Sequence, residues 1–105
     1  MKVLFDQCTP VPLRRFLHPH IVDTAEEMGW SRLRNGELLS EVESNHYDAF
    51  ITTDTKLKHQ QNLTNRTIRV LVLTSTSWPR IRKKTDEIRT ALEALGEGGY
   101  AEVKI

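Results

Sequence analysis

One cysteine, Cys8, stands among the 105 residues of the chain, so no internal disulfide can brace it and a packed core has to hold it together. Such usage fits a reducing, cytoplasmic setting. Long apolar runs are missing as well. None approaches the roughly 20 residues that span a bilayer, and the opening MKVLFDQ meets Asp6 before an apolar core of signal-peptide length can form. Membrane association is therefore not expected. Histidines are few and poorly spaced for zinc, with His18 and His20 flanking Pro19 and with His46 and His59 isolated. Repeats, linkers and low-complexity tracts are absent, and a chain this short holds one core. The most informative scarcity is of negative charge in one region. Residues 55–85 include no carboxylate but eight basic residues: Lys56, Lys58, Arg66, Arg69, Arg80, Arg82, Lys83 and Lys84. Eight of the fourteen carboxylates lie instead between positions 23 and 54. That layout suits either a metal site beside a phosphate-binding rim or a solvated surface whose charges alternate in space.

What is present reads as strands alternating with helices. KVLF at 2–5 is a short β-prone run that ends at Asp6. Pro10 and Pro12 can open a helix whose apolar face is Leu13, Phe16 and Leu17. HIVD at 20–23 is a second strand, and 24–28 make one helical turn closed by Gly29. Asn35 is expected to cap a helix with Leu38, Leu39 and Val42 inward and Glu37, Ser40, Glu41 and Ser44 outward. Residues 47–52 form a third strand and IRVLVL at 68–73 a fourth. Ser77 is expected to cap a longer helix, with Pro79 in its first turn and Ile81, Ile88, Ala91, Leu92 and Leu95 as its buried stripe. Gly96, Gly98 and Gly99 end it, and YAEVKI at 100–105 alternates as a final edge strand. The alternation predicts an α/β fold of three layers, a mainly parallel sheet of about five strands covered on both faces.

In such a sheet, ligands sit beyond the carboxyl ends of the strands. FITTDTKL, at 50–57, ends its strand in two threonines and Asp54, and the first strand ends in Asp6. Glu37 opens the helix that leads to Asp54. Three carboxylates from three segments are thus expected on one rim. Clustered carboxylates repel, and a fold tolerates them best when a cation neutralises them. Oxygen ligands without cysteine or paired histidine suit Mg²⁺ or Mn²⁺. Each acid also has a plainer role, Asp6 and Asp54 capping the loops after their strands and Glu37 facing its helix dipole.

Taken in order, DQCTP, GWSRLRNGELL and ITTDTKLKHQQNL resemble a family of short bacterial PIN-like proteins, and the likeness runs to about Leu95. PIN-domain ribonucleases carry an acid that opens a helix, followed by a strand ending in Thr-x-Asp. Carried over by position, Asp6, Glu37 and Asp54 match three of the four usual acids. A fourth acid has no clear counterpart, because residues 30–34 occupy its place; Asp23, Glu26 and Glu41 are the candidates. The resemblance implies a metal-dependent endoribonuclease, with Mg²⁺ or Mn²⁺ on Asp6, Glu37 and Asp54. Its RNA substrate would be held by Lys56, Lys58, Lys83 and Lys84. It further implies the toxin half of a toxin–antitoxin pair, with a small antitoxin protein as partner and a homodimer as a candidate assembly. The missing acid leaves a second reading open, a catalytically silent module that binds protein or RNA. Gln60, Gln61 and Asn62 read first as a plain polar loop and second as base contacts, and Trp30 and Trp78 are expected to pack rather than to stack on bases.

Overall fold

The computed structural model describes residues 1–60 and 62–105; Gln61, one of the three polar loop positions, lies outside the described residues. Five short strands form the sheet: β1 (Lys2–Phe5), β2 (Ile21–Thr24), β3 (Ala49–Thr52), β4 (Arg69–Leu73) and β5 (Tyr100–Val103). Their order is β2-β1-β3-β4-β5, and every neighbouring pair is parallel. Parallel neighbours need crossover connections. These are a 3-10 helix (Val11–Leu17) and the α-helices α1 (Asn35–Ser44), α2 (Leu57–Gln60), α3 (Trp78–Ile81) and α4 (Thr85–Ala94).

Strand residues alternate between two buried clusters. Val3, Phe5, Ile51, Leu71 and Leu73 meet Leu13, Leu17, Ile81, Ile88 and Leu92 on one face. Leu4, Phe50, Val70 and Val72 meet Leu38, Leu39, Val42 and Leu57 on the other. Both faces are therefore sealed, which is why β3 and β4 read as nearly unbroken apolar runs rather than alternating ones. Fully burying each such aliphatic side chain contributes about 1.5–3 kcal/mol. No helix among the described residues is long and apolar enough to cross a membrane.

Several boundaries differ from the sequence expectation for identifiable reasons. The segment after Pro10 winds as a 3-10 helix with Pro at its start. Residues 24–28 make one hydrogen-bonded turn, Met28 N–H to Thr24 O at 3.1 Å, closed by Gly29 at φ 78°. Arg34, not Asn35, occupies the N-cap of α1, and Asn35 is its first residue. The long helix after Ser77 breaks into α3, a 3-10 turn (Arg82–Lys84) and α4, because Lys84 leaves helical geometry at φ −125° and ψ 21°.

The connections place the site. After β1 the chain passes to the face holding Leu13 and Leu17, whereas after the adjacent β3 it passes to the opposite face holding Leu57. Adjacent parallel strands whose connections diverge leave a crevice beyond their carboxyl ends. Here that crevice opens between Asp6 and Asp54.

Candidate functional site

A cleft of about 460 Å³ occupies this crevice. Asp6, Gln7 and Cys8 line it from the end of β1, and Thr53 and Asp54 from the end of β3. Trp30, Leu33, Asn35 and Leu38 form the wall on the α1 side, and Thr76 closes it from the loop after β4.

Asp6 is half-buried and held at both carboxylate oxygens. Its backbone N–H donates to Ile51 O at 3.1 Å, continuing the β1–β3 ladder by one residue. Its Oδ1 accepts from Thr9 N–H at 3.0 Å and from Thr9 Oγ1 at 2.5 Å. Its Oδ2 accepts a short hydrogen bond from Thr52 Oγ1. The same Thr52 hydroxyl accepts from Asp54 N–H at 3.0 Å. Thr52 is 1% exposed and Thr9 3% exposed, and buried hydroxyls of this kind need partners. The result is a continuous chain from Asp54 N–H through the Thr52 hydroxyl to the Asp6 carboxylate.

Asp54 is held in turn. Lys56 N–H donates to its Oδ1 at 2.9 Å, a local turn bond, and Asn35 Nδ2 donates to its Oδ2 at 2.8 Å. Asn35 is the first residue of α1 rather than its cap, so its side chain is free for this contact. Its amide reaches across to the end of β3.

Each carboxylate oxygen has two acceptor positions. With these donors counted, Asp6 keeps one position free at Oδ2, and Asp54 keeps one at each oxygen. That capacity fits a single, mostly hydrated Mg²⁺ or Mn²⁺. Such an ion is commonly taken by one or two carboxylates, with water and phosphate completing the shell. Among the described residues no three His, Cys, Asp or Glu side chains gather closely enough to hold a metal together.

The structure brings Asp6 and Asp54 together but does not bring Glu37 to them. Glu37 is exposed on the first turn of α1 and is not among the residues lining the cleft. At about 100° per residue, two positions after Asn35 place it nearly opposite the face that Asn35 and Leu38 present to the cleft. The candidates for the fourth acid also lie elsewhere. Asp23 accepts from the Tyr47 hydroxyl at 2.6 Å, Glu26 is exposed, and Glu41 is exposed beside Asn45. Burial first, and then the Asp23 bond, push the Tyr47 phenol well above its ordinary range.

The four lysines expected to bind RNA are spread out. Lys56 is exposed beside Asp54 and contributes its backbone N–H there. Lys58 sits 5.4 Å from the Tyr100 ring centre and lines a separate cavity of about 420 Å³ with Asn62, Leu63 and Thr64. Burial, with Glu102 adding, pushes the Tyr100 phenol up to about 12. Lys83 is exposed on the 3-10 turn after α3. Lys84 is tied down, its Nζ donating to Lys104 O at 3.0 Å and lying 3.7 Å from Glu87.

Three residues of the site do not stand out in the sequence as members of it. The Asp6-x-x-Thr9 spacing is an Asx-type turn signal that could have marked Thr9. Asn35 carries the signal of a helix cap, which hides its reach to Asp54. Thr76 has no local signal, because the strand order alone brings the loop after β4 to this edge. No protein-family model matches the chain, and comparisons with curated proteins and with solved structures likewise give no match.

Proposed function

We propose that the protein is a metal-dependent ribonuclease of PIN-like type, cleaving RNA with one Mg²⁺ or Mn²⁺ held by Asp6 and Asp54. The observation that carries this reading is that these two acids line one cleft, the Thr52 hydroxyl linking the Asp6 carboxylate to the Asp54 backbone N–H, at the crevice where the connections of β1 and β3 diverge. A divalent ion, when bound, supplies Lewis-acid stabilisation of charge at a scissile phosphate. The chain does the rest. Thr9 and Thr52 fix the Asp6 carboxylate, and Asn35 and Lys56 N–H fix that of Asp54, so the free acceptor positions are oriented before a ligand arrives. Trp30 and Leu33 give the cleft an apolar wall that limits water on one side. Lys56 stands beside Asp54 as the nearest of the expected phosphate-binding lysines in sequence.

The PIN-like resemblance of DQCTP, GWSRLRNGELL and ITTDTKLKHQQNL adds the reaction class and the role of toxin with a small protein inhibitor, and the lone Cys8 suits a cytoplasmic setting. The purified protein should cleave single-stranded RNA with Mn²⁺ or Mg²⁺ and stop when EDTA is added. Asp6→Asn and Asp54→Asn should each abolish cleavage, whereas Glu37→Gln should leave most of it. Expression should slow growth, and Asp54→Asn should relieve the effect. Equal inertness of wild type and Asp54→Asn across several RNAs and both metals would sink the reading. The catalytically silent module, favoured by the position of Glu37 outside the cleft, would then replace it.

A further inference from the structure

Two arms of the chain leave the cleft toward the same face of the sheet. From Gln7 and Cys8 one runs through Pro10 into the 3-10 helix, and from Thr76 the other runs through Ser77 into Trp78. Two residues of chain span at most about 7 Å, so the Trp78 backbone lies within that distance of Thr76 on the cleft wall. The arms meet in an aromatic pair, Phe16 and Trp78, with ring centres 5.8 Å apart and planes at 45°. Trp78 packs partly against the core behind it, while Phe16 is 36% exposed.

Cations flank this pair. The Arg15 guanidinium lies 5.9 Å from the Phe16 ring centre. Arg82 N–H bonds to Trp78 O, so the exposed Arg82 side chain follows Trp78 by one helical turn. The nearby Glu27 is engaged by Arg14 at 2.5 Å. The exposed face of Phe16, backed by the half-buried Trp78 and set beside guanidinium groups, matches the two needs of a single-stranded nucleic acid, stacking for bases and positive charge for phosphates.

Building on the ribonuclease reading, we infer that Phe16 and Trp78, with Arg15 and Arg82, form a stacking platform for single-stranded RNA that emerges from the Asp6–Asp54 cleft. Bases stack on the aromatic pair, and the two arginines hold phosphates on either side. The placement gives the substrate a direction, out of the cleft past Thr76 and onto the face that carries α3 and α4. It also selects single strands, because a base inside a duplex cannot offer its face to Phe16. Sequence tolerance follows, since every base has a π-face.

The test measures fluorescence anisotropy of a labelled oligouridylate binding to the Asp54→Asn protein in EDTA, so that cleavage does not interfere. Phe16→Leu, which keeps apolar bulk but removes the π-face, should weaken binding about tenfold. Phe16→Trp should retain affinity, which separates stacking from packing. Arg15→Gln with Arg82→Gln should reduce the log–log salt slope by about 0.7 for each phosphate that is no longer neutralised. A duplex of the same length should bind more weakly than the single strand and be insensitive to Phe16→Leu. Unchanged oligouridylate binding in Phe16→Leu and in the double arginine variant would overturn the platform while leaving the nuclease reading intact. Loss of binding in these variants alongside an inert wild-type enzyme would keep the platform and remove the nuclease. Oligoglutamate competing through the same residues, with no RNA binding, would overturn the platform in favour of an acidic protein partner.

Discussion

Thr52 has the most consequential side chain of the site that is not itself acidic. It donates to Asp6 and accepts from Asp54 N–H while almost wholly buried. Thr52→Val keeps the shape but strips both bonds, leaving a half-buried carboxylate oxygen and an N–H without their partner. Such a change costs about 1–3 kcal/mol, which a urea melt should show as a lower midpoint at unchanged slope. Thr52→Ser should recover most of the loss; equal destabilisation by Ser and Val would assign the cost to the methyl group instead. Much of this is legible in the sequence. A strand that ends Thr-Thr-Asp must point one hydroxyl at each face by its two-residue period. That the hydroxyl links the Asp6 carboxylate to the Asp54 backbone is not legible there, because the link depends on β1 lying beside β3. Glu37 shows the opposite limit. Its position at a helix start is plain from the residues, but the rotation of α1 is set by Leu38, Leu39 and Val42 seeking the core, and that turns Glu37 outward.

At the scale of elements, α1 is fastened at both ends. Asn35 in its first turn holds Asp54, and Glu43 in its last turn takes Arg66 at 2.5 Å and Thr67 N–H at 3.1 Å. Burial pushes the Glu43 carboxyl up, but the Arg66 and Thr67 bonds outweigh it and hold the group below its ordinary value of 4.5. A folded-state value below the unfolded one means stability that is fully present above about pH 4.5 and is lost as pH falls through the folded value. Glu43→Gln should therefore flatten the acid limb of the stability–pH curve below that point and lower stability near neutrality. An acid limb identical in both proteins would show that Glu43 does not couple to folding. Elements with a strong apolar signal, such as the nearly unbroken run IRVLVL and the Ile88–Leu92 stripe of α4, can be read from residues alone. The 3-10 helix and the break at Lys84 cannot. Proline at the start permits either helix type, so the residues alone do not choose between them.

For the molecule as a whole, strand order is what converts scattered residues into a site. Alternation of strands and helices implies a parallel sheet, but it leaves open which strand neighbours which. Only with β1 placed between β2 and β3 do Asp6 and Asp54 border one crevice. A ligand that binds this folded arrangement and not the unfolded chain must raise stability by mass action. At ten times its dissociation constant the gain is about 1.4 kcal/mol, or roughly 6–10 °C in Tm for a domain of this size. Mn²⁺ titrated into the wild type should therefore raise Tm and reach that range. Asp54→Asn is the clean control. The new amide oxygen can still accept from Lys56 N–H, and Asn35 can rotate its own amide to offer an oxygen to the new NH₂ group. Its metal-free Tm should stay within a few degrees of wild type. Asp6→Asn is harsher, because an NH₂ group would face the Thr52 hydroxyl and leave that proton without an acceptor. It should lose Tm before any metal is added. The Mn²⁺-dependent rise should nearly vanish in both variants and persist in Glu37→Gln. A rise equal in all four proteins would place the ion elsewhere on the molecule, and no rise in the wild type would remove the ion from the crevice altogether.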